Sequence, residues 1–171
     1  PENYKGYPVT SIDAWAFEDC RTLKSVTIPD SVTDIGIGVF RFCKGLTKVK
    51  LSNSLKIIPQ WAFYSCSGLD SISIPNSVTE IGKNAFQFCY NLKSLNLGDG
   101  MTSIGGVFRS CTSLETVIIP DGVISIANAF QGCTSLMNVS IPNSVTIIRG
   151  AFGGCTSLEN DIIPDGVTSI E

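Results

Sequence analysis

The sequence predicts a mainly β solenoid with parallel, in-register strands and short helical or 3₁₀ turns. Three observations carry that reading. Phenylalanine recurs at 17, 40, 63, 86, 108, 130 and 152, and cysteine at 20, 43, 66, 89, 111, 133 and 155. The step between cysteines is 23 residues through Cys89 and 22 after it. Each unit also ends in strand-like alternation, as in Ser25-Val26-Thr27-Ile28. Finally, proline closes that alternation at 29, 75, 120, 142 and 164, each time followed by Asp or Asn. Proline removes a ladder donor and Asp or Asn tolerates turn geometry, so the strand stops there.

A fixed period between 20 and 29 residues with one apolar signature per unit is the mark of a leucine-rich-repeat solenoid. Taken in order, Pro1 to Pro8 reads as the tail of an earlier repeat. Val9 to Ser31 is the first full unit, with Val9, Ile12, Phe17, Cys20, Leu23, Val26 and Ile28 inward. Later units fill the same columns, as in Val78, Ile81, Phe86, Cys89, Leu92, Leu95 and Leu97. The Val-Thr-x-Ile step is expected to form a second extended piece on another side. Ala-Phe-x-x-Cys is too short for a long helix and reads as a single helical or 3₁₀ turn. About seven such units, on the order of 33 Å at the strand spacing, make one solenoid over residues 1–171.

The lost residue is easy to place. Ile81 to Phe86 is five residues, whereas Ile104 to Phe108 is four. The bend into the Phe turn therefore tightens from Gly105-Gly106 onward, which predicts altered curvature or twist and not a domain boundary. Gly166 to Glu171 stops in mid-unit, and an open solenoid end exposes core and unpaired strand. The expectation is a segment of a longer chain, or ends that a neighbour covers. Asp161 occupies a core column, where an unpaired carboxylate is costly, so the last turn should be looser there.

Composition narrows the function. With 12 Lys+Arg against 15 Asp+Glu, the basic footprint of a nucleic-acid binder is missing. No apolar run reaches the roughly 18–20 residues that span a bilayer. The chain has no histidine, so Ser–His and Cys–His nucleophile pairs are ruled out. Gly105-Gly106 and Gly153-Gly154 lack the surrounding pattern of a phosphate loop. No catalytic residue, cofactor or metal is called for. The cysteines share one inward column beside Phe and Leu and lack a CxxC pair, which favours a ladder of buried thiols over disulfides or metal ligands.

The block Ile74-Pro75-Asn76-Ser77-Val78-Thr79-Glu80-Ile81-Gly82-Lys83-Asn84-Ala85-Phe86-Gln87-Phe88-Cys89 resembles the BspA-like leucine-rich-repeat family. The likeness covers practically the whole chain. It implies adhesion or protein recognition at an extracellular or cell-surface location, with no catalytic residues to carry over. The 22-residue units and Asp161 depart from the pattern.

Two surfaces could recognise a protein partner. The outward strand columns present Lys24, Lys48, Lys50, Ser71, Ser73, Lys93 and Asn96, basic early and acidic late, where Glu115 and Glu159 follow. Solenoids commonly bind on such a strand face; the plainer role is a solvated face kept polar for solubility. Asn138-Val139-Ser140 on that face matches a glycosylation acceptor. The second surface is aromatic. Trp15, Phe42, Trp61, Tyr64, Phe88 and Tyr90 lie outside the core columns and all in the first four units. Clustered apolar groups mark interfaces, unless these rings fold back to thicken a thin core. A rigid spacer or subunit of a larger assembly, with end-to-end contacts to further repeats, is the structural alternative. The Thr column at 10, 33, 79, 102, 146 and 168 is a weaker basis for ice or crystal-surface binding, because it is single.

Overall fold

A computed structural model of the chain describes residues 3–159 and 163–168. The chain winds as a mainly β solenoid in which no helix occurs among the described residues. We number the turns from their first core residue: Val9, Val32, Leu55, Val78, Met101, Val123 and Val145. The strand side is built from β4 (Ser25–Thr27), β6 (Lys48–Lys50), β8 (Ser71–Ser73), β10 (Ser94–Asn96), β11 (Thr116–Ile118) and β12 (Asn138–Ser140). These pair in parallel and in register, Ser25 opposite Lys48 and Ser71 opposite Ser94. Residues 160–162, Asp161 among them, lie outside the described residues. A second side carries β3 (Ser11–Ile12), β5 (Asp34–Ile35), β7 (Ile57–Ile58) and β9 (Glu80–Ile81), continued by bridges Ser103–Ser125 and Ser125–Ile147.

Two expectations need correction. Residues 3–8 are not the tail of a turn: β1 (Asn3–Tyr4) and β2 (Tyr7–Pro8) form an antiparallel hairpin closed by Lys5-Gly6. Both closing residues have positive φ, the geometry that matches strand twist in a two-residue hairpin. The Phe segments are neither helical nor 3₁₀. Alternate residues bond back three positions, as from Ala16 N–H to Asp13 C=O and Cys20 N–H to Phe17 C=O. The residues between them donate forward to the next turn, as from Phe17 N–H to Val39 C=O and Phe40 N–H to Ala62 C=O, both at 2.9 Å. Left-handed residues at two positions of each segment, for example Asn84 and Phe88, produce that alternation.

This third side is the spine of the molecule. Forward bonds from Phe17, Phe40, Phe63, Phe86, Phe108 and Phe130 join every successive pair of turns. Behind them the rings stack at 5.1 to 5.4 Å through Phe108 and at 6.0 and 6.1 Å thereafter. The wider spacing begins where the repeat loses its residue, so the expected change in curvature is a fanning of the Phe side. Five of the seven cysteines are buried. From Cys43 onward each thiol donates to the carbonyl of the preceding turn's Phe, as Cys66 Sγ to Phe40 O at 3.0 Å and Cys111 Sγ to Phe86 O at 3.3 Å. Cysteine suits the column because it packs as a small hydrophobe and still offers a weak donor. Phe17, at the head of the stack, is 40% exposed.

The two extended sides are interrupted where the spine is not. Ladders join turns 1 and 2, then 3 and 4, then 5 onward. Seams therefore fall between β6 and β8 and between β10 and β11, and at the same levels on the second side. Proline explains their placement. Ile28, Ile74 and Ile119 precede proline, which holds them extended, and their N–H groups bond to Lys50, Asn96 and Ser140 of the next turn. Turns 2 and 4 have Ser52 and Gly98 instead. Ser52 is buried with its hydroxyl donating to Val32 O at 2.7 Å. Gly98 packs where a Cβ would meet the Pro75 backbone. Neither residue supplies the proline that holds the residue before it extended, and β6 and β10 pair with no strand of the following turn. Grooves of about 260 and 290 Å³ mark the two seams on the strand side, and one of about 390 Å³ opens between turns 4 and 5 on the second side.

Candidate functional site

The six rings singled out from the sequence come together on the outer surface of the spine. Trp15 and Trp61 lie with ring centroids 6.2 Å apart, although two turns separate them. Gly38 makes this approach feasible: a Cβ there would collide with the Trp15 ring. Phe42, Tyr64 and Phe88 meet edge to face at 5.7 and 5.4 Å, and Tyr90 joins Phe88 at 5.8 Å. Edge-to-face pairing sets the positive rim of one ring against the negative face of the next. Trp15 and Tyr90, at the two ends, are 39% and 43% exposed, and the four rings between them are half-buried.

Arg41 unites the two groups. Its guanidinium lies 4.3 Å from the Phe42 centroid, 5.6 Å from Tyr64, 5.8 Å from Trp15 and 5.9 Å from Trp61. Arg41 also bonds Glu18 at 3.0 Å, and its buried Nε has no hydrogen-bond partner. A planar, weakly hydrated guanidinium suits contact with several aromatic faces. Sequence reasoning missed it, since its column reads Glu18, Arg41, Tyr64, Gln87, Arg109, Gln131 and Gly153 and gives no periodic signal. Beside the patch, Arg21 bonds Asp19 at 2.7 Å and holds that carboxyl below its usual range.

Four of the six rings stand on unusual backbone. Trp15, Phe42, Trp61 and Phe88 have φ of 61°, 62°, 60° and 64°. Other turns place Gly38, Asn84, Gly106, Asn128 and Gly150 in the tryptophan column, and Asp19, Ser65, Ser110, Gly132 and Gly154 in the Phe42 column, also at positive φ. Small and Asx residues accept the left-handed region, whereas bulky ones are outliers there. Such a conformation costs of order 1–3 kcal/mol per residue. The fold thus tolerates the rings without needing them.

On the strand side Lys24, Lys48, Lys50, Ser71, Ser73, Lys93 and Asn96 are all exposed. They do not make one patch. Lys24, Lys48 and Lys50 gather on turns 1 and 2, while Lys93 sits on turn 4 beyond a seam, with Asp70 in its column between. Ser73 and Asn96 bond each other at 3.2 Å. The Thr column is engaged with backbone, since Thr33, Thr79 and Thr168 donate to carbonyls of the preceding turn at 3.3 to 3.4 Å. Burial pushes the central thiols up, Cys89 to about 12, and raises Cys43 and Cys155 to about 11.

Parallel strands stacked on a Phe-Cys column define the class as a leucine-rich-repeat solenoid. The description "BspA type Leucine rich repeat region" matches residues 6–107 and 106–171 in 6 copies, and the chain belongs to that family. It is a family of repeat scaffolds, typically surface or adhesion related, and not a known enzyme family. Among solved structures, a leucine-rich-repeat protein of T. pallidum is 30% identical with a TM-score of 0.88, over 99% of this chain and 85% of that one. A leucine-rich-repeat protein of Bacteroides ovatus is 29% identical with a TM-score of 0.71, over 99% of this chain and 52% of that one. A leucine-rich cell surface protein of Faecalibacterium prausnitzii is 30% identical with a TM-score of 0.66, over 89% of this chain and 50% of that one. This chain thus spans about half the length of the latter two. No curated protein sequence matches it. No helix among the described residues is long and apolar enough to cross a membrane.

Proposed function

We propose that the chain is a non-enzymatic recognition module, working at the cell surface or outside the cell, whose partner-binding surface is the Arg41-centred aromatic patch. The observation that carries this is the backbone beneath the rings. Four bulky side chains occupy left-handed positions that the same fold fills elsewhere with Gly, Asn, Asp or Ser. Trp, Tyr and Arg are also the residue types that dominate binding hot spots. The surface location rests on the family and on the F. prausnitzii relative, whose name calls it a cell surface protein. The lysines of turns 1 and 2 add a basic margin that would speed encounter with an acidic partner. The second reading is a spacer or subunit within a larger assembly, in line with the continuous spine.

The test is gentle crosslinking in native source material, with linked lysines mapped, followed by capture with variants. Recognition through the patch expects one partner crosslinked beside the early turns and lost with Trp61→Ala, while the melting temperature stays within a few degrees. Binding that survives Trp61→Ala but fails in Lys48→Glu with Lys50→Glu would move the site to the strand side. Links running only from the two ends would favour the spacer.

A further inference from the structure

We infer that Asp121-Gly122 is a self-modifying site, where the main chain rearranges through a succinimide to isoaspartate, and that its packing selects it over two other Asp-Gly pairs. The inference is independent of the aromatic patch. Aspartate precedes glycine at 99–100, 121–122 and 165–166, each time in a turn. Glycine permits the reaction because no Cβ obstructs the approach of its amide nitrogen. All three aspartates are exposed, and none of the three glycine N–H groups donates to another group among the described residues. The surroundings of each glycine therefore decide.

Gly100 and Gly166 are half-buried against the preceding turn. A Cβ on Gly100 would lie 2.6 Å from both Asn76 O and Val78 O, and one on Gly166 would lie 2.8 Å from Asn143 O. The Asp99 N–H also donates to Asn76 Oδ1, at 3.4 Å. Gly122 is exposed, has a φ of +93°, and at the same place meets nothing nearer than 4.0 Å. The seam lies beside it: β11 pairs with no strand of turn 4, and the groove of about 290 Å³ there is lined by Asp99 and by Pro120, the residue before Asp121. The turn itself is loosely closed. Val123 N–H reaches Pro120 O at 3.4 Å, against 2.9 to 3.1 Å for Val32, Val78, Val145 and Val167 in the other proline turns. A peptide with so little packed on it reorients at low cost.

The chemistry needs only water. The Gly122 nitrogen bonds to the Asp121 Cγ, a Cγ–O bond breaks, and the carboxyl's hydroxyl leaves with the amide proton as water. Water then adds back to the five-membered ring. Opening between the nitrogen and Cγ restores aspartate; opening between the nitrogen and the Asp121 main-chain carbonyl gives isoaspartate. The product's main chain is one methylene longer, between Ile119, whose N–H bonds Ser140 O at 3.0 Å, and the buried Val123.

Trypsin separates the three pairs, because cleavage after Lys93, Arg109 and Arg149 puts them in peptides 94–109, 110–149 and 150–171. The folded chain is incubated for weeks at body temperature and neutral pH. It is then labelled by an isoaspartate-specific carboxyl methyltransferase with labelled S-adenosylmethionine, and digested. Label should accumulate in 110–149 at least about fivefold faster than in the other two, the ratio that roughly 1 kcal/mol of extra local freedom gives. In urea, where the packing is gone, the three rates should converge. Asp121→Glu keeps the charge but would need a six-membered ring. It should remove the label from 110–149, which also holds Asn128, Asn138 and Asn143, and leave the other two peptides unchanged. Equal labelling of the three peptides in the folded chain, or none in 110–149, overturns the inference. So does a preference that persists in urea, or label in 110–149 that survives Asp121→Glu.

Discussion

The spine and the strand side differ in opposite respects. The spine has an unbroken hydrogen-bond ladder and an unbroken ring stack, yet its outer surface changes from aromatic in turns 1–4 to glycine-rich in turns 6–7. The strand side keeps a polar exterior through nearly all its turns, yet its ladder is interrupted at two levels. Recognition groups mounted on the continuous side start from fixed positions, and little conformational freedom remains to be lost on binding. The lysines of the strand side stand on pairs of turns, Lys24, Lys48 and Lys50 on one and Lys93 on the next, that no strand ladder joins. That difference makes the spine the better platform for a specific contact and the strand side the better one for non-specific steering.

The contrast breaks most directly at the spine's core. Phe86 is fully buried and stacked on both faces, at 5.1 Å from Phe63 and 5.4 Å from Phe108. Phe86→Ala should cost about 3–5 kcal/mol in chemical denaturation. Phe17→Ala, which removes a ring stacked on one face, should cost clearly less. Equal losses would mean that the stack is not the cooperative element. Ile72→Val, beneath the strand side, should cost about 0.5–1.5 kcal/mol.

The thiol column gives the next effect. Burial raises Cys43, Cys66, Cys89, Cys111 and Cys155 above the free-thiol value. A raised folded pKa means that the folded state keeps protons which the unfolded state releases. Stability is therefore fully present below pH 9 and falls as pH rises through the window from about 9 to about 12 set by Cys89, by about 1.4 kcal/mol per pH unit for each fully protected thiol. Thermal melts at pH 8 and pH 10.5 read this directly. Replacing Cys89 by Ser should lessen the pH slope while lowering stability at pH 8, and an unchanged slope would remove that thiol from the account.

Much of this was legible in the sequence because a repeat prints its core columns again and again. The Phe and Cys positions, the strand alternation and membership of the aromatic group all follow from period and exclusion. What was not legible has particular causes. Arg41 acts through contacts from three turns, which no column shows. The left-handed positions were signalled by the recurrence of Gly38, Asn84, Gly106, Asn128 and Gly150, but Trp15 and Trp61 in the same column hid the pattern. The seams were marked by the missing prolines at 52 and 98, a consequence that follows only once strand-end bonds are traced. The helical reading of Ala-Phe-x-x-Cys failed because the spacing alone does not report the sign of φ.

Trp61 separates surface from scaffold more finely. Trp61→Asn installs the residue found in the same column at 84 and 128. It relieves left-handed strain of order 1–3 kcal/mol and loses ring contacts of comparable size. Stability should then move by no more than about 1 kcal/mol in urea denaturation while binding through the patch is lost. A large destabilisation would assign the rings to core packing.

The smallest effect lies at the seams, and hydrogen exchange resolves it residue by residue. The amides of Ile28, Ile74 and Ile119 bond the next strand at 2.9, 2.8 and 3.0 Å. Leu51 and Leu97 hold the equivalent positions at the seams, where the strands are not paired. All five side chains are buried, so solvent access alone should not separate them. Local opening that needs no ladder bond broken is cheaper, and Leu51 and Leu97 should exchange at least tenfold faster than the other three. Phe40 and Phe86, at the same two levels but on the spine, donate to Ala62 and Val107 and should remain protected. Uniform protection across all seven amides would erase the seams, and with them the argument that the strand side yields where the spine does not.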